Sequence, residues 1–105
     1  MRLVTLRKVM ALFQKVYPDM PLPMLLTFIE VASADGLTVS DVVERVGISQ
    51  PAASRHCRAL SEFATPNKPG FNLVEFRESR ADFRCKYVYL NENGRALAKK
   101  IKDIR

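Results

Sequence analysis

The chain has 105 residues, 17 Lys+Arg against 11 Asp+Glu, a formal net charge of +6 and a sequence pI of about 9.7. That length suits one domain, 1–105, around one core. A hydrophobic share of 48% excludes a disordered chain. No apolar run reaches the roughly 20 residues that a membrane span needs. Two cysteines, Cys57 and Cys85, make no disulfide framework, so a reduced, cytoplasmic protein is expected. The charge is unevenly placed. Residues 1–48 carry five basic and five acidic side chains, whereas residues 49–105 carry twelve basic and six acidic ones. The whole excess therefore lies in the second half, as in a neutral scaffold joined to a surface for a polyanion.

Leu3, Leu6, Met10, Phe13 and Tyr17 recur at helical spacing, and Val9, Leu12 and Val16 form a second row beside them. The pattern predicts a helix over 1–17, stopped by Pro18. Two apolar stripes exceed what a small interior absorbs, so the first row is assigned to dimerisation. Pro21 and Pro23 fit the first turn of a second helix. Its apolar run (Leu22, Leu25, Leu26, Phe28, Ile29, Val31 and Ala32) leaves almost no polar face, which predicts burial all round. Asp35-Gly36 ends it.

Thr38-Val39-Ser40-Asp41 matches a capping box and opens a third helix to about Val46. Gly47-Ile48 is a tight turn. Ser49 caps a fourth helix, with Pro51 in its first turn. Ala53, Cys57 and Leu60 mark the buried side of that helix, and Ser54, Arg55 and Arg58 the other. Residues 64–72 read as a loop, with a type II turn at Lys68-Pro69-Gly70-Phe71. Leu73–Glu78 and Phe83–Leu90 are strand-like and form a hairpin over 73–90. Asn91 caps a last helix with Leu97, Ile101 and Ile104 on one face. Lys99, Lys100, Lys102 and Arg105 complement its C-terminal dipole.

Residues 38–60 thus have the layout of a helix-turn-helix. The opening of the fourth helix, Ser49-Gln50-Pro51, presents free amides and short polar groups to a DNA backbone or groove. Gln50 can pair with adenine, and Arg55 or Arg58 with guanine. Arg77, Arg80, Arg84 and Lys86 on the hairpin can reach phosphates or the minor groove. The DNA-facing set is therefore Ser49, Gln50, Ser54, Arg55, Arg58, Arg77, Arg80 and Arg84. His56, Cys57 and Cys85 lack metal-ligand spacing, and Cys57 reads as a small core residue. No nucleophile sits beside a base and no glycine loop cradles phosphate, so neither catalysis nor a cofactor is expected.

The segment VSDVVERVGISQPAASRHCRAL, Val39 to Leu60, resembles the helix-turn-helix of bacterial winged-helix transcription regulators. Its run Ser49 to Arg55 is similar to the recognition-helix opening of the MarR and LysR families. Tyr89 to Arg95 is similar to the junction where the MarR wing enters its next helix, with Asn91 where threonine is more usual. The resemblance covers roughly Leu22 to Leu97. It implies an α+β, mostly helical winged helix-turn-helix, flanked by an N-terminal and a C-terminal helix. It further implies a homodimer on a palindromic operator, with the recognition helices in the major groove. The sequence names no small-molecule effector. Two other readings fit the same pattern: a winged-helix protein-interaction module, or an accessory of phage or mobile-element replication or recombination.

Overall fold

The computed structural model describes residues 1–78 and 86–105. Helix α1 (Leu3–Val16) is followed by α2 (Leu22–Ala32) and α3 (Val39–Val42). A wider helical turn over Val43–Gly47 leads into α4 (Gln50–Leu60). Strands β1 (Phe63–Thr65), β2 (Lys68–Pro69), β3 (Val74–Glu78) and β4 (Lys86–Leu90) precede α5 (Glu92–Lys102). The element order is the mostly helical α+β succession that the sequence predicts. No helix among the described residues is long and apolar enough to cross a membrane.

One core collects the inward side of every helix. Phe28 and Val31 of α2, Val42 of α3, Ala53, Cys57 and Leu60 of α4, and Val74 and Val88 of the sheet are all buried. Strands β3 and β4 pair antiparallel, with Phe76 opposite Val88 and Arg77 opposite Tyr87. Leu37 adds a third segment through reciprocal backbone bonds to Val88. Side chains alternate across a strand. Val74, Phe76 and Val88 therefore share the face toward the helices, and Glu75, Arg77, Tyr87 and Tyr89 share the other.

The local signals act as their chemistry demands. The Asp41 amide donates to the Thr38 hydroxyl at 3.1 Å, and the Thr38 amide donates to the Asp41 carboxylate at 3.0 Å. The Ser49 hydroxyl accepts from the Ala52 amide at 3.2 Å. Gly47, at φ 77°, takes the left-handed conformation in the turn between α3 and α4. Asn91 accepts from the Gly94 amide at 2.9 Å while its own amide donates to Asn72. One side chain thus caps α5 and ties it to the start of the wing, which accounts for asparagine at this position.

The structure corrects three expectations. Helix α2 is not buried all round: Leu22, Leu26 and Ile29 are exposed, 56%, 41% and 40% respectively. Its partners α4, α5 and β4 cover the Phe28 side. The third helix keeps regular geometry only to Val42, then widens as the chain turns toward Gly47. Residues 64–72 are not a plain loop. Phe63 pairs with Pro69 and Thr65 with Lys68 in a miniature hairpin. Gly70 makes no left-handed turn; Asn72 does, at φ 56°. Gly70 is glycine for another reason, since a Cβ there would collide with the carbonyl oxygens of Ser61 and Ala59. The chain runs back along the end of α4, bonding Phe71 to Ala59 and Leu73 to Leu60.

Among the described residues, His56 and Asp41 have pKa values shifted in the direction that weakens the fold in acid. Burial, and secondarily Arg55, lowers the His56 pKa below 6.5. The Thr38 amide and hydroxyl lower the Asp41 pKa below 3.8. Both folded values lie below the unfolded ones, so both contributions are present above the unfolded pKa and fade as pH falls through the folded pKa. Thermal denaturation should therefore show stability falling first below about pH 6.5 and again below about pH 4. His56→Gln should remove the first fall, and an unchanged profile would refute the assignment.

Candidate nucleic-acid interface

Helix α4 is built to expose one side. Ala53, Cys57 and Leu60 are fully buried, which fixes its rotation against α2 and α3. Gln50, Arg55 and Arg58 are then exposed and Ser54 half-exposed. Ser49 is also exposed, but its hydroxyl accepts from the Ala52 amide and its carbonyl from the Ala53 amide, and Pro51 has no N–H, so the Gln50 amide is the first-turn donor that faces outward. The Arg58 guanidinium donates to the Ser54 hydroxyl at 2.8 Å, holding the fork in one orientation. Such pre-organisation lowers the entropy lost when an arginine engages a phosphate or base edge.

A cleft of about 560 Å³ opens beside this surface. Ser40 of α3, Ser54 and Arg58 of α4, Ser61, and Phe63, Phe76 and Lys86 of the strands line it. Lys86 lies opposite Glu78 in the strand register, on the face that looks toward α4. The structure thus brings Lys86 to the same cleft as Ser54 and Arg58. Ser40, Ser61 and Phe63 carry no sequence signal for this position, because the miniature hairpin that places Phe63 lies within a segment whose composition is that of a loop.

Arg77 is placed elsewhere. It stands on the opposite face of the sheet, where its Nε donates to Glu75 at 3.1 Å and its guanidinium lies 4.5 Å over the Tyr89 ring. Its hydrogen bond to Glu75, and secondarily the Glu75 charge, raises its pKa. The alternation of a strand explains the outcome: neighbours in sequence point to opposite faces. Arg80 and Arg84 lie outside the described residues, as does Cys85.

Cys57 is a buried thiol whose pKa burial pushes up to about 11. It is therefore a thiol, not a reactive thiolate, at neutral pH. Nδ1 of His56 is buried without a hydrogen-bond partner among the described residues.

The apolar row assigned to dimerisation divides. Phe13 is buried in the monomer's own core, edge-to-face with Phe28 at 6.2 Å, and Tyr17 packs on Phe71 at 5.5 Å. These two anchor α1, together with Val9. Leu3, Leu6 and Met10 remain exposed, 83%, 43% and 42% respectively.

Comparison with solved structures decides the fold. MepR of S. aureus, in a DNA complex, superposes with a TM-score of 0.73 at 19% identity, over 94% of this chain and 74% of MepR. The PcaV transcriptional regulator of Streptomyces coelicolor gives 0.68 at 16% identity, over 95% of this chain and 68% of PcaV. MarR of E. coli gives 0.68 at 16% identity, over 96% and 70%. The fold is a winged helix-turn-helix. In it α3 and α4 fall at the helix-turn-helix and β3–β4 at the wing. No protein-family model matches the sequence, and no curated protein matches it.

Proposed function

We propose that the chain is a sequence-specific transcription regulator that binds double-stranded DNA as a homodimer on a palindromic operator. The observation that carries this reading is the surface of α4. Its capped N-terminus, Gln50, Arg55 and the pre-oriented Arg58 lie exposed together, beside Lys86 of the wing. Gln50, Arg55 and Arg58 read base edges, whereas Ser49, Ser54 and Lys86 hold the backbone. Recognition of DNA by MepR, whose fold this chain shares at low identity, supports the reading.

Leu3, Leu6 and Met10 of α1 supply the contact between subunits, with the exposed Leu22, Leu26 and Ile29 of α2 as a further apolar row. Sedimentation should give a dimer, and Leu6→Glu with Met10→Glu should give a folded monomer. A wild-type monomer at high micromolar concentration would refute the dimer.

The test of DNA recognition is binding measured against salt. Phosphate neutralisation predicts affinity falling linearly in log–log coordinates, at about −0.9 per phosphate contact. Lys86→Gln should flatten that slope by about one contact and weaken specific and random duplexes alike. No binding to any duplex at low salt, beside a tight protein partner, would replace this reading with that of a protein-interaction module.

A further inference from the structure

The miniature hairpin over 63–69 puts an aromatic ring at a boundary of charge. Among the described residues, the ionisable groups lining the cleft of about 560 Å³ are Arg58 and Lys86, both cations. Phe63 and Phe76 also border a neighbouring cleft of about 370 Å³, whose ionisable groups are Glu62 and Glu75, the latter bonded to Arg77. The two clefts that meet at Phe63 therefore differ in sign, and an anion is favoured in the first alone.

Phe63 is 55% exposed, yet its backbone is clamped. The Ser61 hydroxyl lies 2.6 Å from the Arg58 carbonyl and 3.0 Å from the Phe63 carbonyl, bonding to both. On the returning leg, the Gly70 amide donates to the Glu62 carbonyl at 2.9 Å and the Asn72 amide to the Ser61 carbonyl at 3.0 Å. Both legs are thus tied to the end of α4. A lone exposed phenylalanine is ordinary on a surface. One fixed beside two cations is an apolar contact formed in advance, which reduces the ordering that binding costs.

A single phosphodiester strand separates the major groove of a duplex from the minor groove beside it. A protein with one element in the first and another on the second must straddle that strand. Here the space between α4 and the wing is the cleft that holds Ser54, Arg58, Phe63 and Lys86.

We propose that the 63–69 hairpin is a third DNA-contacting element beside α4 and the wing. The strand between the grooves lies in this cleft, a phosphate on Ser54 and Lys86 and an adjacent deoxyribose against the Phe63 ring. The inference rests on the DNA reading above and adds to it an apolar contact that carries no sequence information.

The chain has no tryptophan, so Phe63→Trp installs a single fluorescent reporter. On titration with a mixed-sequence duplex at low salt, the indole should lose access to acrylamide, saturating as the duplex binds. Phe63→Ala should weaken the same duplex by about fivefold or more, the cost of leaving the exposed part of the ring uncovered. Its log–log salt slope should match that of the wild type, because a ring releases no counterion, whereas Lys86→Gln flattens the slope. Circular dichroism and melting midpoint should stay as in the wild type, since the ring is mostly outside the core. Duplex binding with the indole as open to acrylamide as in the free chain, or wild-type affinity in Phe63→Ala, would overturn the hairpin contact and leave recognition by α4 standing. Failure of the wild-type chain to bind any duplex would overturn both.

Discussion

Arg55→Ala will lower affinity for the cognate duplex by about 1–3 kcal/mol and relax the preference at one base pair. The effect follows from position. Arg55 is exposed on α4, two residues from the buried Ala53 and Cys57 that fix the helix's rotation. Removing an exposed side chain leaves that packing intact, so thermal stability should change by no more than about 0.5 kcal/mol. Competition of the variant between its best duplex and a random one is the measurement. Equal losses on both would assign Arg55 to the backbone instead of a base. Arg58→Ala should add a second effect, because Ser54 then loses the guanidinium it holds. The two arginines are near neighbours, so their losses should not simply add.

Phe28→Ala should be among the most destabilising single truncations of the core, at about 3–5 kcal/mol. The ring is fully buried and meets Phe13 edge-to-face, so it holds α1 on the domain as well as filling the centre. Domains of this size have roughly 5–15 kcal/mol in all. Thermal or urea denaturation should show a large fall in midpoint, at roughly 4–8 °C per kcal/mol. Phe13→Ala in the same background should then cost less than it does alone, since the pair is already broken. A loss below about 1 kcal/mol for Phe28→Ala would mean that the site collapses around the cavity and that α1 is held by other contacts.

The parts of this fold legible in the sequence are those set by local chemistry. Thr38 with Asp41, Ser49 and Asn91 announce three helix starts through side chains that bond nearby amides. The Ala53, Cys57, Leu60 spacing fixes which side of α4 is buried, and so leaves Arg55 and Arg58 outside. What is not legible depends on distant neighbours. Periodicity cannot say that α2 has partners on one side alone, so Leu22, Leu26 and Ile29 read as core. Spacing cannot tell apart the two apolar rows on α1: Phe13 belongs inside only because Phe28 stands opposite. Gly70 reads as a turn residue, yet it is required by carbonyls of α4 and its C-cap that fold back beside it. Arg77 and Lys86 look equivalent as wing cations, and only the pairing register assigns them to opposite faces.

Recognition of a defined operator by α4 can be put to selection of bound duplexes from a random pool. A two-fold symmetric motif should emerge, its half-sites about one helical turn apart, roughly 34–36 Å or a multiple of it. The same selection with Arg55→Ala should lose preference at one position in each half. Recovery of duplexes no different from the starting pool, at a salt concentration where the chain still binds DNA, would contradict sequence-specific recognition by α4.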